Sequence, residues 1–241
     1  MDLSIVIPAH CEGHKIGRDV EAAAAFLVRQ GLKGEIIVVD DGSSDETAQA
    51  AERAAVPSGV ERRVIRYTPH RGKGCAVRTG MREARGDYAM FADSGLCVPY
   101  ENALRGLDLI RQGECDVAHG SRKLPESVIR RAQPLHRRIL SRLFRTLLFT
   151  LVGIPRDLTD TQCGFKIYRG DVARELYSAC GADGFMFDVE VLLRAGRKGY
   201  RVREFPVEWR CDLDSRLKPA RNCFRTLAEL VHIKRAIGKE P

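Results

Sequence analysis

The chain has 241 residues, and 44% of them are hydrophobic, which is enough to bury one sizeable core. Its eight cysteines are scattered without a Cys-x-x-Cys pair or a cluster with histidine, which excludes a zinc ribbon and a disulfide scaffold and favours reduced thiols in the cytoplasm. The formal net charge of +8 favours an anionic partner, namely nucleotide phosphates, a membrane surface or nucleic acid.

The sequence contains no segment that predicts secretion or a membrane span. Residues 1–4 carry no lysine or arginine, and the apolar run at 5–7 stops at Pro8, unlike the start of a signal peptide. The longest apolar stretch, 147–154, is far too short to cross a bilayer. We therefore expect any contact with a membrane to be peripheral.

Alternating strands and helices are predicted in the first half of the sequence. Buried apolar runs indicate strands, and apolar residues at helical spacing indicate helices. In chain order the pattern predicts strand 3–8, helix 16–30, strand 35–39, helix 47–55, strand 64–67, helix 74–84 and strand 88–92. Such alternation is typical of a mostly parallel sheet, whose ligands bind beyond the carboxyl ends of the strands.

The regular alternation ends near residue 118. Beyond it the pattern predicts a strand at 165–168, helices at 172–180 and 189–198, a strand at 202–207 and a basic helix at 219–236.

A basic amphipathic stretch lies between Glu126 and Asp157, where seven arginines occur and no acidic residue does. Apolar residues from Leu135 to Leu151 fall on one helix face. Three interpretations stay open: a helix that packs on the core, an interfacial helix on an anionic membrane, and a nucleic-acid-binding helix. The third ranks last, because no aromatic stacking platform accompanies the basic residues.

Two adjacent aspartates, Asp40 and Asp41, end the second predicted strand. Their carboxylates can accept hydrogen bonds from a nucleobase or from ribose hydroxyls. Alternatively, Ser44 or Asp45 caps the helix that begins near Glu46. Capping does not explain the adjacent pair, since like charges so close need a cation or a hydrogen-bond donor.

Asp93 follows the predicted strand 88–92, where its carboxylate can hold a divalent cation that bridges two phosphates. Aspartate in this position is also a common turn former. The segment 70–74, His-Arg-Gly-Lys-Gly, precedes a helix, and its glycines and the helix N-terminus favour an anion. Its spacing is neither that of a P-loop nor that of a dinucleotide fingerprint.

Together these stretches resemble the inverting glycosyltransferases of family 2. The motifs that carry the resemblance are IVIPAHCE at 5–12, VVDDGSSD at 38–45, RGKG at 71–74 and FAD at 91–93. Further motifs resemble the branch of dolichyl-phosphate glucosyltransferases and polyprenyl-phosphate mannose synthases: GSR at 120–122, TDTQCGFK at 159–166 and FMFDVE at 185–190. The resemblance covers residues 3–209, nearly the whole chain.

The resemblance implies an α/β GT-A fold, a Rossmann-like single domain whose mixed, mainly parallel sheet is flanked by helices. We accordingly treat 1–241 as one domain, with a nucleotide-binding half at about 1–118, an acceptor half at about 119–212 and a basic C-terminal helical segment at 213–241.

The resemblance also implies a donor site. Pro8, Ala9 and Glu12 would line the nucleotide pocket. Asp40 would contact the base or ribose, and Asp41 would support that loop. Lys73 would lie near the base. Asp93 would contact Mg²⁺ or Mn²⁺ together with the diphosphate.

On the acceptor side, Asp160 would lie beside the anomeric carbon or the acceptor phosphate, so that Asp93 and Asp160 are the implied catalytic residues. Arg122 would bind phosphate. The basic residues expected to grip the acceptor phosphate or close its site are Arg130, Arg131, Arg216, Lys218 and Arg221.

The implied reaction moves a hexose from a nucleotide sugar to a polyprenyl or dolichyl phosphate with inversion, at the cytoplasmic face of an anionic membrane and without nucleic acid. UDP-glucose is favoured as donor, and GDP-mannose stays open. Gly95 departs from the family's usual Asp-x-Asp triplet, and His10-Cys11 replaces its usual Tyr-Asn. Two alternatives therefore remain: transfer to an acceptor that is not a lipid, and a non-catalytic homologue that binds nucleotide sugars.

Overall fold

The computed structural model describes residues 1–131, 158–212 and 223–238, the last range with side chains from residue 229. The strands are β1 Leu3–Ala9, β2 Gly34–Asp41, β3 Glu61–Tyr67, β4 Tyr88–Ala92, β5 Val117–Ser121, β6 Val128–Arg131, β7 Phe165–Arg169, β8 Val202–Pro206 and β9 Glu208–Arg210. The helices are α1 Ile16–Arg29, α2 Thr47–Arg53, α3 Lys73–Glu83, α4 Ala103–Arg111, α5 Gly170–Ala179, α6 Phe187–Arg197 and α7 Cys223–Gly238, and a 3₁₀ turn spans Tyr100–Asn102.

The main sheet has seven strands in the order β3-β2-β1-β4-β7-β5-β8. Its strands run parallel except β7, which is antiparallel to both of its neighbours, β4 and β5. β6 and β9 form a separate parallel pair. The mixed, mainly parallel α/β sheet flanked by helices confirms the predicted fold class.

The central strands are buried on both faces because their apolar residues alternate between two cores. Ile5 and Ile7 of β1 pack in the core that includes α1, whereas Val6 packs in the core that includes α3 and α5. Strands covered by helices on both sides read as nearly continuous apolar runs, which is why β1, β2 and β4 could be recognised from the sequence.

The predicted elements of the first half are confirmed, with shifts at their ends. β3 begins at Glu61, three residues earlier than predicted. The prediction missed Glu61 to Arg63 because they are polar, as residues of an edge strand can be. The sequence prediction missed α4, β5, β6 and β9, and the predicted strand 202–207 ends at Pro206. Two sets of predicted residues lie outside the described structure: the basic amphipathic stretch around 135–151, and Arg216, Lys218 and Arg221. The division of the chain into halves stays a prediction.

No helix in the described part of the chain is both long and apolar enough to span a bilayer.

A buried carboxylate holds the amino-terminal edge of the sheet, opposite the predicted site. Glu35 accepts hydrogen bonds from Ser4 Oγ at 2.7 Å and from the Arg85 guanidinium at 2.8 and 3.1 Å, and Arg63 Nη1 lies 3.2 Å away. Burial alone would raise the pKa of Glu35, but the hydrogen bonds from Arg85 and Ser4 hold it below its ordinary value of 4.5. The charged form is therefore the stable one in the fold.

We expect Glu35→Gln to lower the free energy of unfolding by about 2 kcal/mol at neutral pH, the scale of a buried hydrogen bond to a charged group. Urea unfolding followed by circular dichroism measures it. Because the native pKa lies below the ordinary value, this stabilisation is complete above about pH 4.5 and is lost as the pH falls further.

The matched control is Glu83→Gln, a change of the same size at a half-exposed partner of Arg63. It should cost less than about 0.5 kcal/mol. Equal losses in the two variants would contradict the structural role of Glu35.

Candidate active site

The residues predicted at the ends of β1, β2 and β4 gather at the carboxyl ends of three adjacent parallel strands. β1 lies between β2 and β4, and its last residue, Ala9, pairs with Asp40 of β2. Asp93 directly follows β4 on the other side of β1. Pro8 and Ala9 are buried at the end of β1, between the two acidic strand ends. This edge is where an open α/β sheet binds ligands.

The loop after β1 is held by polar side chains of the next βα loop. Glu12 N–H donates to Thr47 Oγ1 at 2.8 Å, and Gly13 N–H donates to Asp45 Oδ2 at 3.1 Å. Asp45 Oδ1 also accepts the amide of Thr47, the first residue of α2, at 3.1 Å. The N-cap residue of that helix is Glu46 and has no side-chain capping hydrogen bond, so the predicted capping by Ser44 or Asp45 is not confirmed. Asp45 and Thr47 thus position Glu12, a role that the sequence pattern did not indicate.

Asp40 is fully buried, and its two carboxylate oxygens differ. Oδ1 accepts the amide of Ser43 at 3.0 Å. Oδ2 forms an ion pair with Arg66 Nε at 3.3 Å but accepts no hydrogen bond within the described residues. Because buried acceptors are normally hydrogen-bonded, Oδ2 has unused capacity for a donor group of a ligand. The contact between Asp40 and the base stays a prediction.

Asp41 is engaged by the loop that leads into α3. Its carboxylate accepts the amides of Arg71 and Gly72, each at 2.8 Å, and His70 Nδ1 lies 2.9 Å from Oδ2. Asp41 therefore fixes the start of α3, and with it the position of Lys73, the first residue of that helix.

Two histidines stack beside this loop. The rings of His10 and His70 lie 4.0 Å apart between centroids at an interplanar angle of 28°, and His10 Nδ1 lies 2.9 Å from the Asp41 carbonyl oxygen. The next residue, Cys11, has a φ of +52°, which non-glycine residues seldom adopt. Its amide donates to Ser43 Oγ at 2.7 Å, which holds this conformation.

Alternating charges lead from the core to Asp93. Lys166 and Asp188 form a buried ion pair, and Lys73 Nζ lies 2.5 Å from Asp93 Oδ1. Burial opposes the charge of Lys73, but Asp93 and Asp188 outweigh it and raise its pKa. Burial raises the pKa of Asp188, against the lowering effect of Lys166 and Lys73. The Asp93 side chain is 35% exposed, so the row of charges opens to solvent there.

Gly164 leaves the space that the Asp93 carboxylate occupies. Asp93 N–H donates to the Gly164 carbonyl oxygen at 2.9 Å, where β7 lies antiparallel beside β4. A Cβ atom on Gly164 would lie between 2.0 and 2.3 Å from Oδ1, Cγ and Oδ2 of Asp93. No side chain fits at this position while Asp93 keeps its place, which the sequence analysis did not recognise.

Arg122 and Asp160 form a bidentate ion pair. Arg122 Nε and Nη2 lie 2.6 and 2.8 Å from the Asp160 carboxylate oxygens, and the guanidinium lies 5.3 Å from the Trp209 ring centroid. Glu204 accepts the amides of Thr159 and Asp160 at 2.9 and 2.7 Å. Burial would raise the pKa of Asp160, but the Arg122 guanidinium holds it well below its usual range.

The charges of the two predicted catalytic aspartates both act on the buried thiol of Cys163. Burial raises the pKa of Cys163 to about 12, and the negative charges of Asp160 and Asp93 add to this rise, whereas Arg122 and Lys166 lower it. Asp93 and Asp160, which the sequence analysis placed in different halves of the chain, therefore both act on the charge state of the same side chain.

The other described residues predicted to bind the acceptor, Arg130 and Arg131, lie on the ribbon formed by β6 and β9. Arg130 and Arg131 end β6 and are exposed. Arg130 Nε lies 3.0 Å from a carboxylate oxygen of Glu208 in β9. Their contact with an acceptor phosphate stays a prediction, and Lys218 is outside the described residues.

A divalent cation fits the chemistry around Asp93. Within residues 1–131, 158–212 and 223–238, no three or more His, Cys, Asp or Glu side chains are grouped so that they could hold a metal ion by themselves. Mg²⁺ is usually held by only one or two carboxylates together with substrate phosphates and water. Asp93 matches that requirement, since it is accessible and Oδ1 has an ion pair but no hydrogen bond within the described residues.

The sequence matches the family model named Glycosyl transferase family 2 over residues 4–177. Dolichyl-phosphate beta-glucosyltransferase of Saccharomyces cerevisiae is 33% identical over an alignment that covers 97% of this chain and 74% of the relative. The human protein of the same name is 28% identical, with 96% and 74% covered. Glycosyltransferase AglD of Haloferax volcanii is 32% identical over 92% of this chain and 35% of the relative.

Solved structures share the fold. Glucosyl-3-phosphoglycerate synthase from Mycobacterium tuberculosis, in complex with Mn²⁺, UDP and glucosyl-3-phosphoglycerate, has a TM-score of 0.72 at 20% identity, covering 97% of this chain and 80% of that one. Its complex with Mg²⁺ and UDP has a TM-score of 0.73 at 20% identity, covering 97% and 79%. The resemblance in the sequence is thereby confirmed: the chain belongs to glycosyl transferase family 2 and is a hexosyltransferase with the GT-A fold.

Proposed function

We propose that this hexosyltransferase moves glucose from UDP-glucose to a polyprenyl or dolichyl phosphate, with inversion and with Mg²⁺ or Mn²⁺ bound at Asp93. The observation that carries the proposal is the accessible Asp93 carboxylate beside Lys73, at the carboxyl end of β4. The names of the dolichyl-phosphate beta-glucosyltransferases, together with UDP and divalent ions in the structural neighbours, support the choice of donor, metal and acceptor.

On the donor side, the ends of β1 and β2 would bind the nucleotide, and the end of β4 would bind the diphosphate. Pro8, Ala9 and Glu12 would line the nucleotide pocket beside Asp40, whose Oδ2 can accept a hydrogen bond. A divalent ion held by Asp93 would supply charge stabilisation for the leaving diphosphate. Lys73 provides a second, fixed positive charge at the same place.

On the acceptor side, the nucleophile needs no strong base. A phosphate oxygen is already anionic, so it can attack the anomeric carbon while the bond from that carbon to the UDP oxygen breaks and its electron pair leaves with UDP. A single displacement of this kind inverts the configuration. The main task left to the protein is to position the acceptor and to stabilise the charge of the leaving group.

Asp160 fits a positioning role in this scheme. It is 1% exposed and stays ionised, and each of its carboxylate oxygens accepts a hydrogen bond from the Arg122 guanidinium. Arg122, oriented by Asp160 and stacked on Trp209, is the group that would meet phosphate. Asp160 would therefore act through Arg122 rather than as a proton acceptor.

The membrane would be met at the ribbon formed by β6 and β9. Val128 and Ile129 are exposed apolar side chains, and Arg130 and Arg131 follow them directly. Apolar and cationic groups side by side favour peripheral association with an anionic surface. The proposed location is the cytoplasmic face of a membrane that carries polyprenyl phosphate.

The direct assay incubates the purified chain with radiolabelled UDP-glucose, polyprenyl phosphate in liposomes and Mg²⁺ or Mn²⁺. We expect label to enter the organic phase as a β-linked product, less label from GDP-mannose, and a loss of transfer on chelation. Phosphoglyceric acid serves as the soluble acceptor. Label on that acceptor alone would support a non-lipid acceptor, and intact UDP binding without any product would indicate a non-catalytic homologue.

Gly164→Ala should lower kcat/KM by about 100-fold, because the new methyl group must displace the Asp93 carboxylate and small displacements of catalytic groups cost that much. Steady-state transfer measures the loss, and circular dichroism checks the fold. Gly196→Ala in α6 is the matched control, since its Cβ meets no atom within 4 Å. The control should keep full activity and gain about 1 kcal/mol of stability. Similar activities of the two variants would remove Asp93 from the mechanism.

Arg130→Gln/Arg131→Gln should weaken binding to anionic liposomes by about tenfold, somewhat less than the roughly 2 kcal/mol that two free arginines contribute, because Arg130 is paired. The KM for UDP-glucose should not change. Liposome flotation and donor kinetics measure the two effects. Arg53→Gln/Arg201→Gln removes the same charge from exposed arginines elsewhere and is the control. Equal flotation of both double variants would refute the role of the ribbon.

A further inference from the structure

Position 95, where the family usually has its second carboxylate, is filled by a carboxylate from elsewhere in the chain. Gly95 has a φ of +90°. A Cβ atom built on it would lie 2.7 Å from Asp212 Oδ2 and 3.3 Å from Asp212 Cγ. The Asp212 carboxylate, 117 positions along the sequence from Gly95, therefore occupies the space into which a side chain at position 95 would project.

We propose that Asp212 is the second carboxylate of the divalent-metal site and acts with Asp93 in place of the side chain that Gly95 lacks. This inference rests on the proposed function, because it assigns a ligand to the cation that the function requires. Carboxylate oxygens from one or two aspartates, with phosphate oxygens and water, are the donor set that Mg²⁺ and Mn²⁺ take.

Two backbone hydrogen bonds fix the residues that lead to Asp212. Arg210 N–H donates to the Cys97 carbonyl oxygen at 2.9 Å, and Cys211 N–H donates to the Arg131 carbonyl oxygen at 3.1 Å. The first of these bonds ties the end of β9 directly to the loop that follows Asp93. These bonds hold Asp212 beside the loop that follows Asp93.

The loop itself is held from its other side by α1. Asp19 accepts the amides of Gly95 and Leu96, each at 2.9 Å on Oδ1. Leu96 also has a positive φ, of +49°. Two successive left-handed residues are sparsely populated in isolation, so the surrounding structure maintains them. With Asp19 and β9 on opposite sides, the loop keeps position 95 open for the Asp212 carboxylate.

Asp93 and Asp212 act on the same small region. Burial raises the pKa of the Cys97 thiol to about 12, and the negative charges of Asp93 and Asp212 both add to that rise. The two carboxylates thus lie within electrostatic reach of one thiol in the loop between them.

Each of the two carboxylates has a lysine in the described structure. Lys73 Nζ lies 2.5 Å from Asp93, and Lys15 Nζ lies 2.5 Å from Asp212 and 2.7 Å from Glu12. A positive charge beside each carboxylate offsets the repulsion between like charges at this loop. A lysine on a metal-binding oxygen competes with the ion for it, so Lys73 at Asp93 and Lys15 at Asp212 would each oppose binding of the free cation.

The competing interpretation is a latch. The pair Lys15–Asp212 connects the start of α1 to the residue after β9, and it could serve only to hold these segments together. The two interpretations make opposite predictions for Lys15. Loss of either partner opens a latch equally, whereas loss of Lys15 leaves a metal ligand in place.

The test is a titration with Mn²⁺ at saturating UDP and without acceptor, with free Mn²⁺ followed by electron paramagnetic resonance. Asp212→Asn keeps the shape and removes the charge, and we expect the Kd for Mn²⁺ to rise at least about tenfold, as for other groups that hold or orient a metal. Asp93→Asn should do the same. Lys15→Gln should leave the Kd unchanged or lower it. The matched control, Glu208→Gln in β9, should have no effect, and melting temperatures verify that each variant is folded.

Three results would overturn the proposal: an Asp212→Asn protein whose Kd stays within twofold of the wild type, a Lys15→Gln protein that loses as much affinity as Asp212→Asn, or a wild-type chain that binds UDP but no Mn²⁺. Since the titration involves no acceptor and no turnover, it can succeed where transfer to polyprenyl phosphate fails. The two failures are therefore distinguishable.

Discussion

Negative charge crowded at the carboxyl edge of the sheet is the constraint on which the rest of the site depends. Asp41 is stabilised by hydrogen bonds from backbone amides, whereas Asp160 is paired with a bidentate arginine and Asp188 with a buried lysine. Each of these contacts also connects two segments of the chain, so the positions of the loops depend on these polar contacts. Asp93, paired with Lys73 yet partly exposed, is the point at which this cluster remains open to a ligand.

The antiparallel strand β7 explains how two distant parts of the chain share one site. It lies between β4 and β5 and begins at the carboxyl edge of the parallel strands, with Phe165 opposite Ala92, so that the residues just before it lie at the end of β4. Gly164 then contacts Asp93, and Asp160 reaches Arg122 at the end of β5. A wholly parallel sheet would have delivered that segment to the opposite edge. The reversal of one strand therefore brings the segment 159–164 to the same edge as Asp93.

Sequence reasoning succeeded where local pattern determines structure. Fully buried strands such as β1 and β2 read as apolar runs, and the aspartates at strand ends follow from them. It failed where contacts link distant residues: nothing near Gly164 indicates that its missing side chain accommodates Asp93. It also failed at β6, a short, wholly exposed strand whose pairing with β9 leaves no apolar signature.

The departure at Gly95 has a different meaning once its surroundings are known. An aspartate at position 95 would need a left-handed backbone that L residues seldom adopt, and its Cβ would collide with Asp212. A side chain at position 95 would require the Asp212 carboxylate to move, so the absence of a side chain at Gly95 is what allows Asp212 its present position. Gly95→Asp is accordingly no simple repair, since it would displace the carboxylate already there. What distinguishes a working site from a degenerate one is then whether a second carboxylate reaches the loop, whichever strand supplies it.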